Sequence, residues 1–231
     1  MDTHFDTPLF DTELPDDLPA TPPYRRPLLA LLAVLALAAA ALGGYWLGRA
    51  AAPAADSVDV GFARDMSLHH EQAVRMAALV YDRSDDPAIR SLAFDILTTQ
   101  QGQIGIMSGW LDAWGLPWTS AGPRMAWMGM PTEGLMPGMA TAEQLEALRA
   151  ADGEAADVLF LQLMIPHHQG GVAMAEDAAA RAGREPVRLL ATSMVEAQSL
   201  EVAYMTELLQ GKGGALPAGA TPATGHDHGA P

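Results

Sequence analysis

Residues 59–70 read Asp59-Val-Gly-Phe62-Ala-Arg-Asp-Met66-Ser-Leu-His69-His70, and 98 positions later residues 157–168 read Asp157-Val-Leu-Phe160-Leu-Gln-Leu-Met164-Ile-Pro-His167-His168. The register continues without a gap through Val74/Val172, Met76/Met174, Ala77/Ala175, Arg90/Arg188, Leu92/Leu190, Ala93/Ala191, Gln100/Gln198, Met107/Met205 and Leu111/Leu209. Chance does not hold a register that long. Within each copy the apolar positions step by three or four, as Phe62, Met66, His69, Ala73, Met76 and Val80 do, which is the period of one helix face. Asp86-Pro87 supplies an N-cap and a first-turn proline for a second helix ending at Gly115 and Pro117, while Gly183 and Pro186 punctuate the second copy. Each copy is thus expected to be an antiparallel helix pair with a loop of about six residues. Neither pair can bury its apolar face alone, so the fold class is all-α, a four-helix bundle over residues 57–210.

Inside that bundle, repeat one covers 57–115 and repeat two covers 154–210, separated by a methionine-rich connector, 116–140, and a short helix, 141–150. Thr141-Ala-Glu-Gln144 reads as the capping box that opens the short helix. Ahead of the bundle, residues 28–47 (LLALLAVLALAAAALGGYWL) carry no charge, enough as a helix to cross a bilayer core of roughly 30 Å. A membrane helix is therefore expected over 27–48. Arg25 and Arg26 before it, and Tyr45 and Trp46 at its far end, put the N-terminus in the cytoplasm and the bundle outside. Small residues at 50–55 leave open a cleaved signal peptide and a secreted product. Residues 1–26, rich in Asp and Pro, and 211–231 read as disordered tails.

Composition removes several classes of function. The 231 residues include no cysteine, so thiolate metal sites, iron–sulfur clusters and disulfides are excluded. With 28 Asp+Glu against 13 Lys+Arg, net charge −15, and Lys212 as the single lysine, no basic stripe exists to meet nucleic acid.

The histidine pairs carry the chemistry. In each copy two adjacent His follow a Met by three and four residues and precede another by six and seven: Met66, His69, His70 and Met76, then Met164, His167, His168 and Met174. Imidazole with thioether suits soft copper(I), with silver(I) following, and suits Mg, Ca or Mn poorly. Neutral imidazole and uncharged thioether should bind until the histidines protonate near 6.5. Gln100, Gln103, Gln198 and Glu201 recur on the second helix of each copy, where they could orient the imidazoles or simply bond between helices. Met125, Met128, Met130, Met136 and Met139 lie in a Gly/Pro context that cannot be a helix core, and are expected to be exposed as an auxiliary soft-metal trap or a sticky docking loop. His226 and His228 form a short metal-binding tract. Packed, metal-free core residues are the competing reading of the dyads, and Pro166 predicts a kink beside the second. No phosphate loop, nucleophile elbow, HExxH or Glu-x-x-His is present, so no organic cofactor and no catalysis are expected, a ferroxidase-like or redox activity being the enzymatic alternative.

MSLHHEQAVRMA and MIPHHQGGVAMA, with Gln or Glu on the following helix, resemble the domain of unknown function 305 family (DUF305), ferritin-like bundles that include CopM-like periplasmic copper-binding proteins. The resemblance spans residues 57–210 and implies an extracytoplasmic bundle that binds Cu(I) and Ag(I) through the eight Met and His named above. Gln103 stands where the family usually has an acid, which Glu201 keeps, and this implies weaker binding in copy one; Leu68 stands where the motif commonly has Pro. The expected protein is a membrane-anchored copper-handling protein serving metal tolerance, with a copper transporter or a second copy of itself as partner. The alternative is a structural or protein-interaction bundle at the cell envelope.

Overall fold

The computed structural model describes residues 25–50 and 52–216, with side chains at 27–46 and 52–216. Of the expected tails, residues 1–24 and 217–231, His226 and His228 among them, lie outside the described residues, while 25–26 open a helix and 211–216 continue from the last one, held by Lys212 and the Ala215 carbonyl. Among the described residues six α-helices follow in order: α1 Arg25–Ala50, α2 Val58–Arg83, α3 Pro87–Trp114, α4 Ala142–Ala150, α5 Gly153–Arg181 and α6 Glu185–Gly211. A 3-10 turn, Ala126–Met128, interrupts the connector. Among the described residues no strand forms, only an isolated antiparallel bridge between Arg124 and Thr132.

The chain divides into two units, Met1–Ala50 and Ala51–Pro231. In the first, Pro27–Trp46 is a helix long and apolar enough to cross a membrane. Length and composition fit a membrane anchor and a signal sequence alike.

In the second unit α2 packs on α3, α5 on α6, and α2 on α5. Local signals set the helix ends. Asp86 caps α3 by accepting from the Ala88 amide at 2.8 Å, Pro87 fills the first turn, and Gly115 ends the helix in the left-handed region at φ 68°. Thr141 and Gln144 form the reciprocal capping box that opens α4. The hairpin loops are shorter than about six residues: only residues 84–86 and 182–184 separate the helices, α2 continuing past Val80, the last periodic position, to Arg83, and α5 ending beside Gly183. α5 passes through Pro166 as one continuous helix.

Positions 98 apart do corresponding work at the two ends. Asp59 reaches from α2 to the start of α6, accepting from the Gly183 amide at 3.0 Å and the Arg184 amide at 2.7 Å. It satisfies helix-terminal donors that α6, lacking a side-chain cap of its own, leaves open. Asp157 meets the other hairpin through Lys212, whose ammonium lies 3.0 Å from Asp157 and 2.7 Å from Asp86.

The bundle interior falls into two apolar clusters. One joins the first half of α2 and the end of α3 to the second half of α5 and the start of α6, with Phe62, Met66, Met107, Leu111, Met174 and Met194 buried. The other contains Met76, Val80, Ile89, Ile96, Phe160, Met164 and Met205. Large side chains this deeply buried each contribute roughly 1.5–3 kcal/mol to folding. Between the clusters, at the middle of α2 and α5, the core turns polar.

Candidate metal centre

The polar layer consists of His69, His70, His167 and His168, none more than 1% exposed, with Gln100 and Gln198 almost as deep. Successive helical residues diverge by about 100°, so the two histidines of a pair leave their helix in different directions. His69 and His167 turn toward one another, ring centroids 3.9 Å apart and planes inclined by 34°. His70 and His168 turn toward the second helix of their own hairpin. Nε2 of His70 lies 2.7 Å from Oε1 of Gln103, and Nε2 of His168 lies 2.7 Å from Oε2 of Glu201.

These partners fix the tautomers. A carboxylate or carbonyl oxygen only accepts, so Nε2–H of His168 donates to Glu201 and Nε2–H of His69 donates to the Pro137 carbonyl at 3.0 Å. His70 does likewise to the Gln103 oxygen. Each of the three rings therefore keeps a bare Nδ1, and those three atoms are buried without a partner. Nε2 of His167, Oε1 of Gln100 and Nε2 of Gln198 are also unpartnered, so six of the seven such side-chain atoms among the described residues belong to this layer. An unpaired buried polar group costs about 1–3 kcal/mol, and a protein that keeps several together commonly keeps them for a ligand.

Burial also sets the charge. It pushes His69 down to about 4 and His70 to about 3, and it holds His167 well below the ordinary value of 6.5. These imidazoles are neutral, with lone pairs available, far below the 6.5 at which the sequence alone would have them protonate.

Among the described residues no three His, Asp or Glu side chains stand where they could together hold a metal ion. Donors beyond His, Asp and Glu would have to share in holding an ion in this layer. Thioethers flank it on both sides: Met66 and Met174 in one cluster, Met76 and Met164 in the other. The four methionines predicted beside the dyads thus divide two and two across the histidines, one from each repeat on each side.

The connector corrects an expectation. Its methionines are not a uniformly exposed trap: Met125 and Met136 are 1% and 2% exposed within the first cluster, Met128 and Met139 pack half-buried against it, and only Met130 stands out at 54%. Two side chains of α2 draw the connector down. Asp65 accepts from the Met125 amide and from the Trp127 indole N–H, both at 2.8 Å. Gln72 bonds both backbone groups of Ala140, accepting at 2.6 Å and donating at 3.0 Å. Trp127 covers Gly61, where a Cβ would lie 2.4 Å from the indole. The Pro137-Gly138 turn presses on α5 so closely that a Cβ on Gly138 would fall 2.0 Å from the Pro166 oxygen, and one on Gly170 2.1 Å from the Pro137 oxygen. This contact delivers the Pro137 carbonyl to His69.

Asp65 and Gln72 escaped the reading of the sequence, although a signal existed. Their counterparts 98 positions on are Leu163 and Gly170, so polarity at these two sites marks where one repeat carries something the other does not.

An antiparallel four-helix bundle interrupted by a buried His/Gln layer, with methionine on either side, defines the class. The chain belongs to the DUF305 family, described as a domain of unknown function, whose model matches residues 59–209. A DUF305 protein from Streptomyces coelicolor is 49% identical, with TM-score 0.68 over 71% of this chain and 99% of that one. A DUF305 fragment from Deinococcus radiodurans is 34% identical, with TM-score 0.55 over 66% and 95%. CopM in a Cu(II)-bound form is 26% identical, with TM-score 0.53 over 67% and 97%, and CopM is also similar in Cu(I)-bound, silver-bound and apo forms. An uncharacterized protein of Acanthamoeba polyphaga mimivirus is 37% identical over 54 residues, 23% of this chain and 36% of that protein, so the chain spans about a third of that relative's length.

Proposed function

We propose that this chain is an extracytoplasmic metal-binding protein, tethered by α1 or released after its removal, that sequesters Cu(I) or Ag(I) without catalysis. The observation that carries this reading is the polar layer: four buried imidazoles, each with a nitrogen that has no protein partner, between two pairs of thioethers. Nitrogen and sulfur donors without charge suit soft monovalent ions. Where Nε2 is held by Glu201, Gln103 or Pro137, the ring is oriented to ligate through Nδ1. The similarity to CopM, crystallised with copper and with silver, supports the same ions. The Streptomyces coelicolor relative, assigned as secreted, supports export.

Anaerobic Cu(I) titration against a competing chelator tests the reading, with the metal-to-protein ratio read by mass spectrometry. Tight binding that disappears when His69, His70, His167 and His168 all become alanine is the expected result. Binding no tighter than that of a scrambled Met/His peptide overturns it.

A second reading has its own support. Phe94, Ile106, Leu189, Leu200 and Tyr204 stand exposed on α3 and α6, as they would on a bundle that docks a partner. Intact folding of the four-alanine protein with no change in metal uptake would favour that reading.

A further inference from the structure

Positions 72 and 170, related by the 98-residue register, meet the same short stretch of the connector, one from each repeat. Gln72, buried on α2, accepts from the Ala140 amide at 2.6 Å and donates to its carbonyl at 3.0 Å. Gly170, buried on α5, has no side chain, and the Pro137 carbonyl occupies the room that a Cβ would need. Between these two holds the backbone turns tightly, the Met139 amide donating to the Met136 carbonyl at 3.2 Å and Gly138 adopting φ 74°. The turn brings the Pro137 carbonyl to Nε2–H of His69, 3.0 Å away, while Pro137 and Gly138 themselves stay exposed. A single peptide thus links the solvent-facing side of the connector to an imidazole that is 1% exposed. His167, the counterpart of His69, has no such bond, for its Nε2 is buried without a partner.

We propose that Gln72 is a positioning residue for the metal centre. By latching Ala140 it keeps the Pro137 carbonyl on Nε2–H of His69, which leaves Nδ1 as the ligating nitrogen. Metal binding in repeat one and closure of residues 137–140 are then one event. This rests on the metal-binding reading above. The physical link runs through the ring. An imidazole that ligates through Nδ1 gives up electron density and becomes a stronger donor at Nε2–H, so its bond to Pro137 tightens when the site is filled and relaxes when it is empty. Coupling of this kind is reciprocal, so freeing the turn must weaken binding at His69. Without the Pro137 carbonyl the neutral ring divides its proton between two nitrogens, and the fraction protonated at Nδ1 cannot ligate there.

The test compares amide hydrogen exchange in the full chain in non-ionic detergent, free and loaded with Ag(I) supplied as the nitrate in chloride-free buffer. Exchange at Ala140, whose amide Gln72 holds, should slow about tenfold on loading. The Thr132 amide, which donates to the Arg124 carbonyl elsewhere in the connector, should change far less. Gln72→Ala should bind Ag(I) about tenfold more weakly. In its metal-free form the nitrogen-15 spectrum of the His69 ring should show both tautomers, where the unaltered chain shows the Nε2–H form alone. Equal slowing at the two amides, or none at Ala140, in a chain that has taken up Ag(I) overturns the coupling and leaves the metal-binding reading standing. A folded Gln72→Ala with unaltered tautomer and affinity does the same. If Gln72→Ala does not fold, the exchange comparison, which needs no substitution, decides alone. No Ag(I) uptake by the unaltered chain overturns the metal-binding reading and the latch with it.

Discussion

The ring of His69 lies against that of His167 with centroids 3.9 Å apart, so the two central helices meet through imidazole rather than hydrocarbon. Shape would be served as well by two phenyl rings. His167 also leaves Nε2 buried and unpaired, so His167→Phe should raise the unfolding free energy of the metal-free protein by about 1 kcal/mol in urea titration. The same change should weaken Ag(I) binding by an order of magnitude or more. A loss of stability together with unchanged Ag(I) affinity would mark His167 as a packing residue.

Glu201 and Gln103 hold corresponding histidines at the same 2.7 Å but with different charge. A carboxylate makes the ring it holds a stronger donor than a carboxamide does, and changes at residues that orient ligands typically cost about 10–100-fold in metal affinity. Glu201→Gln should therefore lower Cu(I) affinity within that range, and Gln103→Glu should raise it, both read by chelator competition. Circular dichroism should remain unchanged in each.

The connector is held by backbone approaches that tolerate no added carbon. Gly138 has φ 74°, and its Cβ would fall on the Pro166 carbonyl, so Gly138→Ala should cost at least about 2 kcal/mol. It should also expose the Ala140 amide, now bonded to Gln72, to hydrogen exchange. Asp65→Ala should release the same segment from its other end and red-shift Trp127 fluorescence. Native exchange rates in Gly138→Ala would count against the strap.

Acid should loosen the metal-free bundle earlier than its carboxylates require. Unfolded histidine takes a proton near 6.5, while burial holds native His69 to about 4 and His70 to about 3. Between those values the unfolded chain binds more protons, so stability is full above 6.5 and falls as pH drops toward 4, by about 3 kcal/mol from His69 alone. Asp65, pushed upward by burial, contributes in the opposite direction, with stability lost as pH rises through its native value. Urea midpoints from pH 7.5 to 4.5 should show a steeper decline for the unaltered chain than for His69→Phe, and equal slopes would contradict the burial argument.

Much of this was legible because the bundle is built from local signals used twice. Periodicity located α2, α3, α5 and α6, while Asp86, Pro87 and Gly115 marked the ends of α3 and Thr141 the start of α4. Of the four residues that recur on the second helices and could orient imidazoles or bond between helices, Gln103 and Glu201 meet His70 and His168, while Gln100 and Gln198 lie buried in the same layer. The connector was illegible for the converse reason. Whether Met125 and Met136 are buried depends on Asp65 and Gln72, sixty or more positions earlier in the chain, and no local rule links an Asp on one helix to a loop amide that far away. The protonation range of the histidines was misread similarly, since burial is a property of all four helices together.

Lys212 closes one end of the bundle between Asp86 and Asp157, and it is the chain's single lysine. Apart from the α-amino group, the molecule thus offers an acylating reagent one amine, which becomes reactive only after leaving both carboxylates and losing its proton. Its labelling rate times the breathing of the α6 terminus, a built-in clock that needs no engineered probe.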